Sequence, residues 1–489
     1  MIRLLLLIIY SAAAALHGVE RPHIVVYLGD DLGMGDIRAY DRTSNIPTPA
    51  IDRMAAEGCR FYDVHSPAAV CTPTRYAVLT GKYPFRSRLD RNVLFSAYDM
   101  TLLEQECETI AGMLRRAGYA TAAFGKWHLG IEAKNKSGDG SAKPGVDSSK
   151  FTTRDVDFSQ PLRHGPVDHG FDCFFGLGSS INHDPYAFIE NDRVITLPAR
   201  FRPEFAHSAD SRNFREGWVA DDWDDPETCP RILERATGHI RRSLQADPKK
   251  PLFVYYASPA PHFPWVPPVT SHGRAVRGQG GDDDGARSHN DMVVHNDVEV
   301  GELRRALEDP NGDGLTDDSV LDQTLFIVTS DNGACVGIFP PFKNHKASIY
   351  EGGHRVPFIV RWPAHVQPGA RSDSLFGLQD LFATFAALTG TPFSRETALD
   401  SLDMLNALRG MSSGRRELLV QQQGASGTFA LRNGPWKLIA QPGKPPELYD
   451  LANDPGENTN LASREPERVA TMRARLLDLV GTERLNPIH

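Results

Sequence analysis

The chain has 489 residues, of which 40% are hydrophobic and 24% charged, and its formal net charge is -9. That length and composition describe a globular protein with a large core, built as one large domain plus a smaller one or as two to three domains. The acidic balance argues against a nucleic-acid partner, which selects a basic surface. It leaves open a locally basic pocket for small anions.

The chain opens MIRLLLLIIYSAAAALHG, with Arg3, an apolar stretch from Leu4 to Ile9 and small residues from Ala12 to Ala15. Residues 1–18 therefore read as a secretory signal peptide, and the protein as exported, periplasmic or secreted. A membrane anchor is the alternative, but the apolar stretch is short for a span and no later segment is long enough, so no stable membrane insertion is expected once the signal is removed.

His23–Leu28 (HIVVYL) reads as a buried strand, followed by a helix over Thr48–Gly58 that stops at glycine. Thr109–Ala117 reads as helix and Tyr119–Phe124 as the next strand. Continuous apolar runs at Leu252–Ala257, Thr324–Thr329 and Pro357–Trp362 supply three further strands. Short apolar strands alternating with helices point to an α/β fold: a large, mostly parallel sheet sandwiched by helices. The polar stretches Glu132–Arg154 and Ser271–Asn290 read as surface insertions. From about Ser413 the pattern changes to short strands at Leu418–Gln422, Thr428–Leu431 and Trp436–Ile439, then a helix over Pro466–Val480. We expect a catalytic domain over 19–410 and a C-terminal α+β subdomain with an antiparallel sheet over 411–489.

Polar residues cluster just past these strands, where ligands bind in open α/β sheets. Asp30, Asp31, Asp331 and Asn332 offer oxygen only, a donor set suited to a hard cation such as calcium or magnesium. Arg75, Lys126, His128, His262 and Lys346 are cations and proton carriers suited to a tetrahedral oxyanion. Taken singly, each has a plainer reading as a cap, turn or surface residue; their joint placement favours a site. Cys71 lies two residues before Pro73, hence near a helix N-terminus, a position that lowers a thiol pKa. The six cysteines show neither C-x-x-C nor zinc spacing, and their pairing is left open.

Cys71-Thr72-Pro73-Thr74-Arg75, continued by Ala77-Val78-Leu79-Thr80-Gly81, resembles the C-x-P-x-R signature of the type I sulfatases, members of the alkaline phosphatase superfamily. Gly118–Gly130 (GYATAAFGKWHLG) resembles the second signature. The initial GDD, the SDNG segment, KASIYEGG and the late ELYDLANDPGENTNLA add further matches in family order, spanning residues 23 to about 461.

The resemblance implies an alkaline-phosphatase-like fold and an arylsulfatase-like sulfuric ester hydrolase. It implies that a separate formylglycine-generating enzyme converts Cys71 to formylglycine. It also implies one calcium ion, in preference to magnesium, on Asp30, Asp31, Asp331, Asn332 and modified Cys71. In that scheme the hydrated aldehyde attacks sulfur, His262 and Lys346 assist the leaving group, and His128 takes the proton that expels sulfate. Arg75 and Lys126 hold the modified side chain. Ser180 stands where family members present a sulfate-binding serine, although the usual preceding proline is Gly178 here. Asn182, His183 and Asp184 are candidates for contacting the alcohol portion of a sulfated small molecule or saccharide, as is His354; a loop-building role is the alternative for each. Asp309–Asp317 (DPNGDGLTD) resembles half of a calcium loop, but Val320 stands at the twelfth position in place of the bidentate glutamate. Two other functions remain in view: a phosphoester hydrolase on the same fold, which would need a second metal site, and a catalytically silent carbohydrate-binding relative, which would have lost site residues.

Overall fold

The computed structural model describes residues 21–89, 93–98, 101–136, 156–205, 214–281, 287–337, 339–411, 416–424 and 427–481. The signal-peptide pattern and most of the Glu132–Arg154 insertion lie outside them.

The strand His23–Gly29 is buried at all seven positions, so both faces of its sheet must be covered. It sits in the middle of a ten-stranded sheet. From one edge the order is Ala370–Ser372, Cys59–Phe61, Phe358–Arg361, Thr324–Ser330, His23–Gly29, Leu252–Ala257, Ala120–Lys126, Cys173–Leu177, Ile189–Glu190 and Arg193–Val194. The run from Thr324–Ser330 through Cys173–Leu177 is parallel. Its neighbours on either side are antiparallel, so the strand expected at Pro357–Trp362 forms but runs against the core direction. Two groups of helices cover the sheet. Pro49–Glu57, Thr228–Ala246 and Arg287–Glu308 pack together, and Cys71–Thr80, Ile110–Arg116 and Leu381–Thr389 form the other group.

Local chemistry fixes the elements that matter for the site. Cys71 is the first residue of its helix, which ends where Gly81 takes φ +66, a left-handed turn that favours glycine. Thr109 caps the next helix, its hydroxyl accepting from the Gly112 amide at 3.1 Å. In the strand that delivers Lys126, a Cβ on Gly125 would lie 1.9 Å from the Ala257 carbonyl oxygen, so only glycine lets the two strands close up there.

Leu418–Gln422, Phe429–Asn433, Trp436–Ala440 and Glu447–Asp450 form a separate antiparallel sheet in chain order. The helix Pro466–Val480 buries Met472, Leu476 and Val480 against Leu419, Leu431, Leu438 and Leu448. Tyr83, Phe85 and Leu375 of the larger part join the same cluster. Fully burying each such side chain stabilises by about 1.5–3 kcal/mol, so the two parts share a core.

The Ser271–Asn290 insertion is shorter than its polarity suggests, because a helix already begins at Arg287. The Asp309–Asp317 loop is exposed from Asn311 to Asp317, and Asp309 and Asp313 accept hydrogen bonds from amides of their own loop. No disulfide forms among the described cysteines.

Candidate active site

The carboxyl ends of the parallel strands are laced together by main-chain hydrogen bonds: Asp331 N donates to Gly29 O and Asp30 N to Ala260 O, each at 3.0 Å. This brings the segments carrying Asp30, Asp331 and His262 to one rim. Asp31 (φ +75) and His128 (φ +59) hold left-handed backbone conformations without being glycine, strain of the kind that collects at functional sites.

The acidic side chains form one completely buried nest. Lys126 Nζ donates to Asp30 Oδ2 at 2.6 Å. Arg75 donates to Asp331 Oδ2 from Nε at 3.0 Å and Nη2 at 2.7 Å, and Nη2 also lies 3.6 Å from Asp30 Oδ1. Lys346 Nζ lies 2.6 Å from Asp31 Oδ1. Asn332 Nδ2 donates to Asp31 Oδ1 at 2.7 Å, and the Asp31 amide donates to Asp331 Oδ1 at 3.2 Å. Two buried oxygens, Asp30 Oδ1 and Asn332 Oδ1, accept nothing. Ligand atoms of Asp30, Cys71 and Asp331 lie within 4.8 Å of one another, as do those of Asp30, Asp31 and His262.

Charge is divided unevenly within the nest. Burial opposes ionisation of Asp30, but Lys126, His262, Arg75 and Lys346 together hold its carboxyl well below the usual range. Asp31 is lowered against the same burial by Lys346 and His262. Asp331 is pushed up to about 7 by burial and by the Asp30 charge. Lys346 stays protonated: burial opposes its charge, but Asp31 outweighs that and holds it above its ordinary value.

Cys71 faces this nest, its Sγ 3.3 Å from His128 Nδ1. The expected lowering of the thiol pKa at the helix start does not occur, because burial raises it despite Lys126 and Lys346. An unmodified Cys71 is therefore a neutral thiol. His128 Nε2 lies 2.7 Å from the Leu94 carbonyl oxygen, which can only accept, so Nε2 carries the hydrogen and Nδ1 turns its lone pair to Cys71. Burial, Lys126 and His183 keep His128 neutral, well below its ordinary pKa. His262 Nδ1 sits 2.5 Å from the Phe263 carbonyl oxygen and 3.3 Å from Ser180 Oγ, leaving Nε2 3.9 Å from Asp31 Oδ2. Burial and Lys346 lower its pKa to about 4. Ser180 Oγ also accepts from Lys126 Nζ at 3.3 Å.

A cavity of about 380 Å³ opens above this floor. The sequence candidates Cys71, His128, Ser180, Asn182, His183, His262 and Lys346 line it; Arg215, Phe95, Phe263, Cys335 and His345, which are not among those candidates, line it too. Arg215 stands between Phe214 and Trp218 in no recognisable motif, and nothing in a single sequence marks it. Asp184 does not reach the cavity wall and accepts from the Trp218 amide at 2.7 Å.

His354 is a second substrate candidate placed elsewhere. It is fully buried, its Nδ1 3.0 Å from His65 Nδ1 and its Nε2 3.1 Å from Lys437 Nζ. The short helix Glu351–His354 turns its side chain toward the small antiparallel sheet, away from the cavity.

The Sulfatase family profile matches residues 22–391, and the profile of the C-terminal part of N-sulphoglucosamine sulphohydrolase matches 343–481. The chain is 30% identical to N-acetylgalactosamine-6-O-sulfatase of Bacteroides thetaiotaomicron over 95% of this chain and 94% of that protein. It is 29% identical to human arylsulfatase A over 93% and 86% of the two chains. Among solved structures, a protein from work on glycosaminoglycan metabolism by Bacteroides thetaiotaomicron superposes with a TM-score of 0.78 at 28% identity, covering 94% of this chain and 99% of its own. The phosphonate monoester hydrolase of Agrobacterium radiobacter shares the fold, with a TM-score of 0.58 at 19% identity over 94% and 95% of the two chains.

Proposed function

The chain belongs to the sulfatase family, and from that premise we propose that it removes sulfate from a sulfated saccharide, of the 6-O-sulfated N-acetylhexosamine class, at residue 71. The observation that carries this reading is the convergence of Cys71 and a neutral imidazole lone pair at one cavity, beside a buried nest that holds two unpartnered oxygens. The saccharide class follows the names of the similar N-acetylgalactosamine-6-sulfatases.

Enzymes of this family use formylglycine and a divalent metal. The donor set fits such an ion. Asp30, Asp31, Asp331 and Asn332 supply only oxygen, and the orphaned Asp30 Oδ1 and Asn332 Oδ1 are what a hard cation would satisfy. Three carboxylates already balance Arg75, Lys126 and Lys346, so a divalent ion makes the site net positive, as an anionic ester requires. Calcium is our assignment, in preference to magnesium, because the family resemblance implies it and four side chains offer oxygen, whereas magnesium keeps several waters. When bound, the ion would polarise a sulfate oxygen and favour ionisation at residue 71.

Cys71 is the residue we assign to oxidation by a formylglycine-generating enzyme, which would replace the inert thiol with a hydrated aldehyde. The other side chains divide the remaining work. His128 Nδ1 accepts a proton from residue 71. Arg75 and Lys126 fix the floor. Ser180 and Lys346 face the sulfate, and Lys346, the group held protonated, donates to the leaving oxygen. The neutral His262 turns a lone pair at Nε2 to the cavity edge, so the leaving-group role expected of it jointly with Lys346 falls to Lys346 in this reading. Asn182 and His183 contact the alcohol portion.

Export and the division into 19–410 and 411–489 belong to the same proposal, supported by the N-terminal pattern and the separate antiparallel sheet. No helix of the described residues is long and apolar enough to cross a membrane.

Matured protein should release sulfate from N-acetylgalactosamine 6-sulfate at least about tenfold faster than from the 4-sulfate, a difference of ~1.4 kcal/mol. Equal rates would reject the positional assignment, and no release from any sulfate ester would reject the activity.

A further inference from the structure

The cavity carries one positive charge that the nest does not explain. Lys346 is paired with Asp31, and no acidic side chain among the described residues lines the cavity. Arg215 also lines it, yet among the described residues no carboxylate pairs with it. Its guanidinium lies 5.2 Å from the Phe95 ring centre, and Nη1 donates to the Phe95 carbonyl oxygen at 3.4 Å. Its main chain is fixed as well, since the Tyr186 hydroxyl donates to Arg215 O at 2.6 Å. Among the described residues one weak hydrogen bond uses one of its five donors, so the group is packed in place with most of its edge unspent there. Burial lowers its pKa, and the more distant Glu204 and Tyr186 offset that only in part, with no carboxylate among the described residues at ion-pair distance. Beside it, Asn182 is 4% exposed and its Oδ1 accepts no hydrogen bond.

We propose that Arg215 is a specificity-determining residue that takes a second anionic group, a carboxylate or second sulfate, on the same saccharide whose ester reacts at residue 71. The proposal rests on the sulfatase reading and narrows its substrate to a dianionic saccharide. A carboxylate or sulfate matches the guanidinium edge with two parallel N–H···O bonds. Asn182 Oδ1 then accepts from a sugar hydroxyl between the two anions. In this arrangement a neutral sugar at the same place would leave Arg215 desolvated and unpaired, which penalises it.

The test uses matured full-length protein and two disaccharides that carry the same 6-sulfate, one with a uronic carboxylate and one with that carboxylate reduced to the alcohol. Wild type should favour the charged disaccharide by about tenfold or more in kcat/KM, carried by KM, as a charge-assisted pair allows. In Arg215→Gln the ratio should fall to within about twofold of one, and Arg215→Lys, which keeps charge without the fork, should lie between. A wild-type ratio near one, or a ratio that persists in Arg215→Gln, overturns the proposal. Should Arg215→Gln not fold, the Arg215→Lys ratio decides. Failure to hydrolyse even an aryl sulfate would strike the sulfatase reading itself. Calorimetric binding of both disaccharides to Cys71→Ala would still report on Arg215, with tighter binding of the charged one expected and equal affinity counting against it.

Discussion

Two buried clusters in this molecule have nearly the same charge inventory and opposite characters. The nest at the rim sets Asp30, Asp31 and Asp331 against Arg75, Lys126 and Lys346. The junction between the large sheet and the small one sets Asp63, Glu351 and Glu457 against Arg355, Arg432 and Lys437. Both contain a trio of side chains close enough to hold a metal. At the junction, however, the place of the ion is taken: Lys437 Nζ lies 2.9 Å from Glu351 Oε1, 2.8 Å from Glu457 Oε1 and 3.1 Å from His354 Nε2. Glu457 Oε1 lacks a well-aligned hydrogen bond, but that contact already neutralises it. In the nest an unpaired oxygen belongs to Asp30, which is grouped with Cys71, and Cys71 lines a cavity. Balanced buried charge is therefore no sign of function by itself; what separates the two clusters is unspent bonding capacity next to open space.

The comparison breaks most visibly through metal. Chelation, or Asp30→Asn, should reduce sulfate ester turnover by about 10²–10³-fold, the scale for loss of a transition-state charge stabiliser. Calcium should restore chelated wild type and raise its Tm, and it should leave the Tm of Asp30→Asn unmoved. A calcium response surviving in that variant would place the ion elsewhere. The junction should answer in stability instead. Lys437→Met strands buried carboxylates, and we expect about 3–5 kcal/mol of destabilisation by denaturant titration, with turnover per folded molecule within about twofold of wild type. A turnover loss comparable to that of Asp30→Asn would erase the distinction between the clusters.

The smallest effect is set by protons. Burial, followed by the Lys437 charge, holds His354 well below its ordinary pKa, and burial lowers His65. Both are neutral in the folded chain, while the unfolded chain protonates near pH 6.5. Their contribution is complete above that pH and is lost as pH falls below it toward the folded values. The unfolding midpoint should drop between pH 7 and 5, and His354→Gln should flatten the slope by up to ~1.4 kcal/mol per pH unit, one proton's worth. An unchanged slope would mean that His354 is already charged in the folded state.

Much of the rim was legible because it obeys a positional rule. Asp30, Lys126, His262 and Asp331 each follow an apolar run that reads as a strand, and parallel strands bring their ends together. The helix Arg287–Glu308 was not legible. Its His295, Asn296, Asp297 and Glu299 are fully buried, held by partners distant in sequence such as Tyr27 and Tyr256, whose hydroxyls donate to Glu299 at 2.7 and 2.8 Å. Buried polar residues erase the amphipathic pattern that announces a helix. The strand Glu447–Asp450 is too short to show a period. His354 follows the segment that delivers Lys346, but the turn of the Glu351–His354 helix sends its side chain to the junction, a direction no linear motif encodes. Arg215 is invisible for a related reason, since its role depends on what surrounds it, not on its neighbours in the chain.

We place sulfate ester cleavage at residue 71, beside a cation-binding nest. Steady-state kcat/KM on matched aryl sulfate and aryl phosphate, measured for matured calcium-loaded wild type and Cys71→Ala, tests it most directly. Wild type should prefer the sulfate by at least about tenfold, and the preference should disappear with the cysteine. Phosphate preference in wild type, or sulfate turnover that persists in Cys71→Ala, would contradict it.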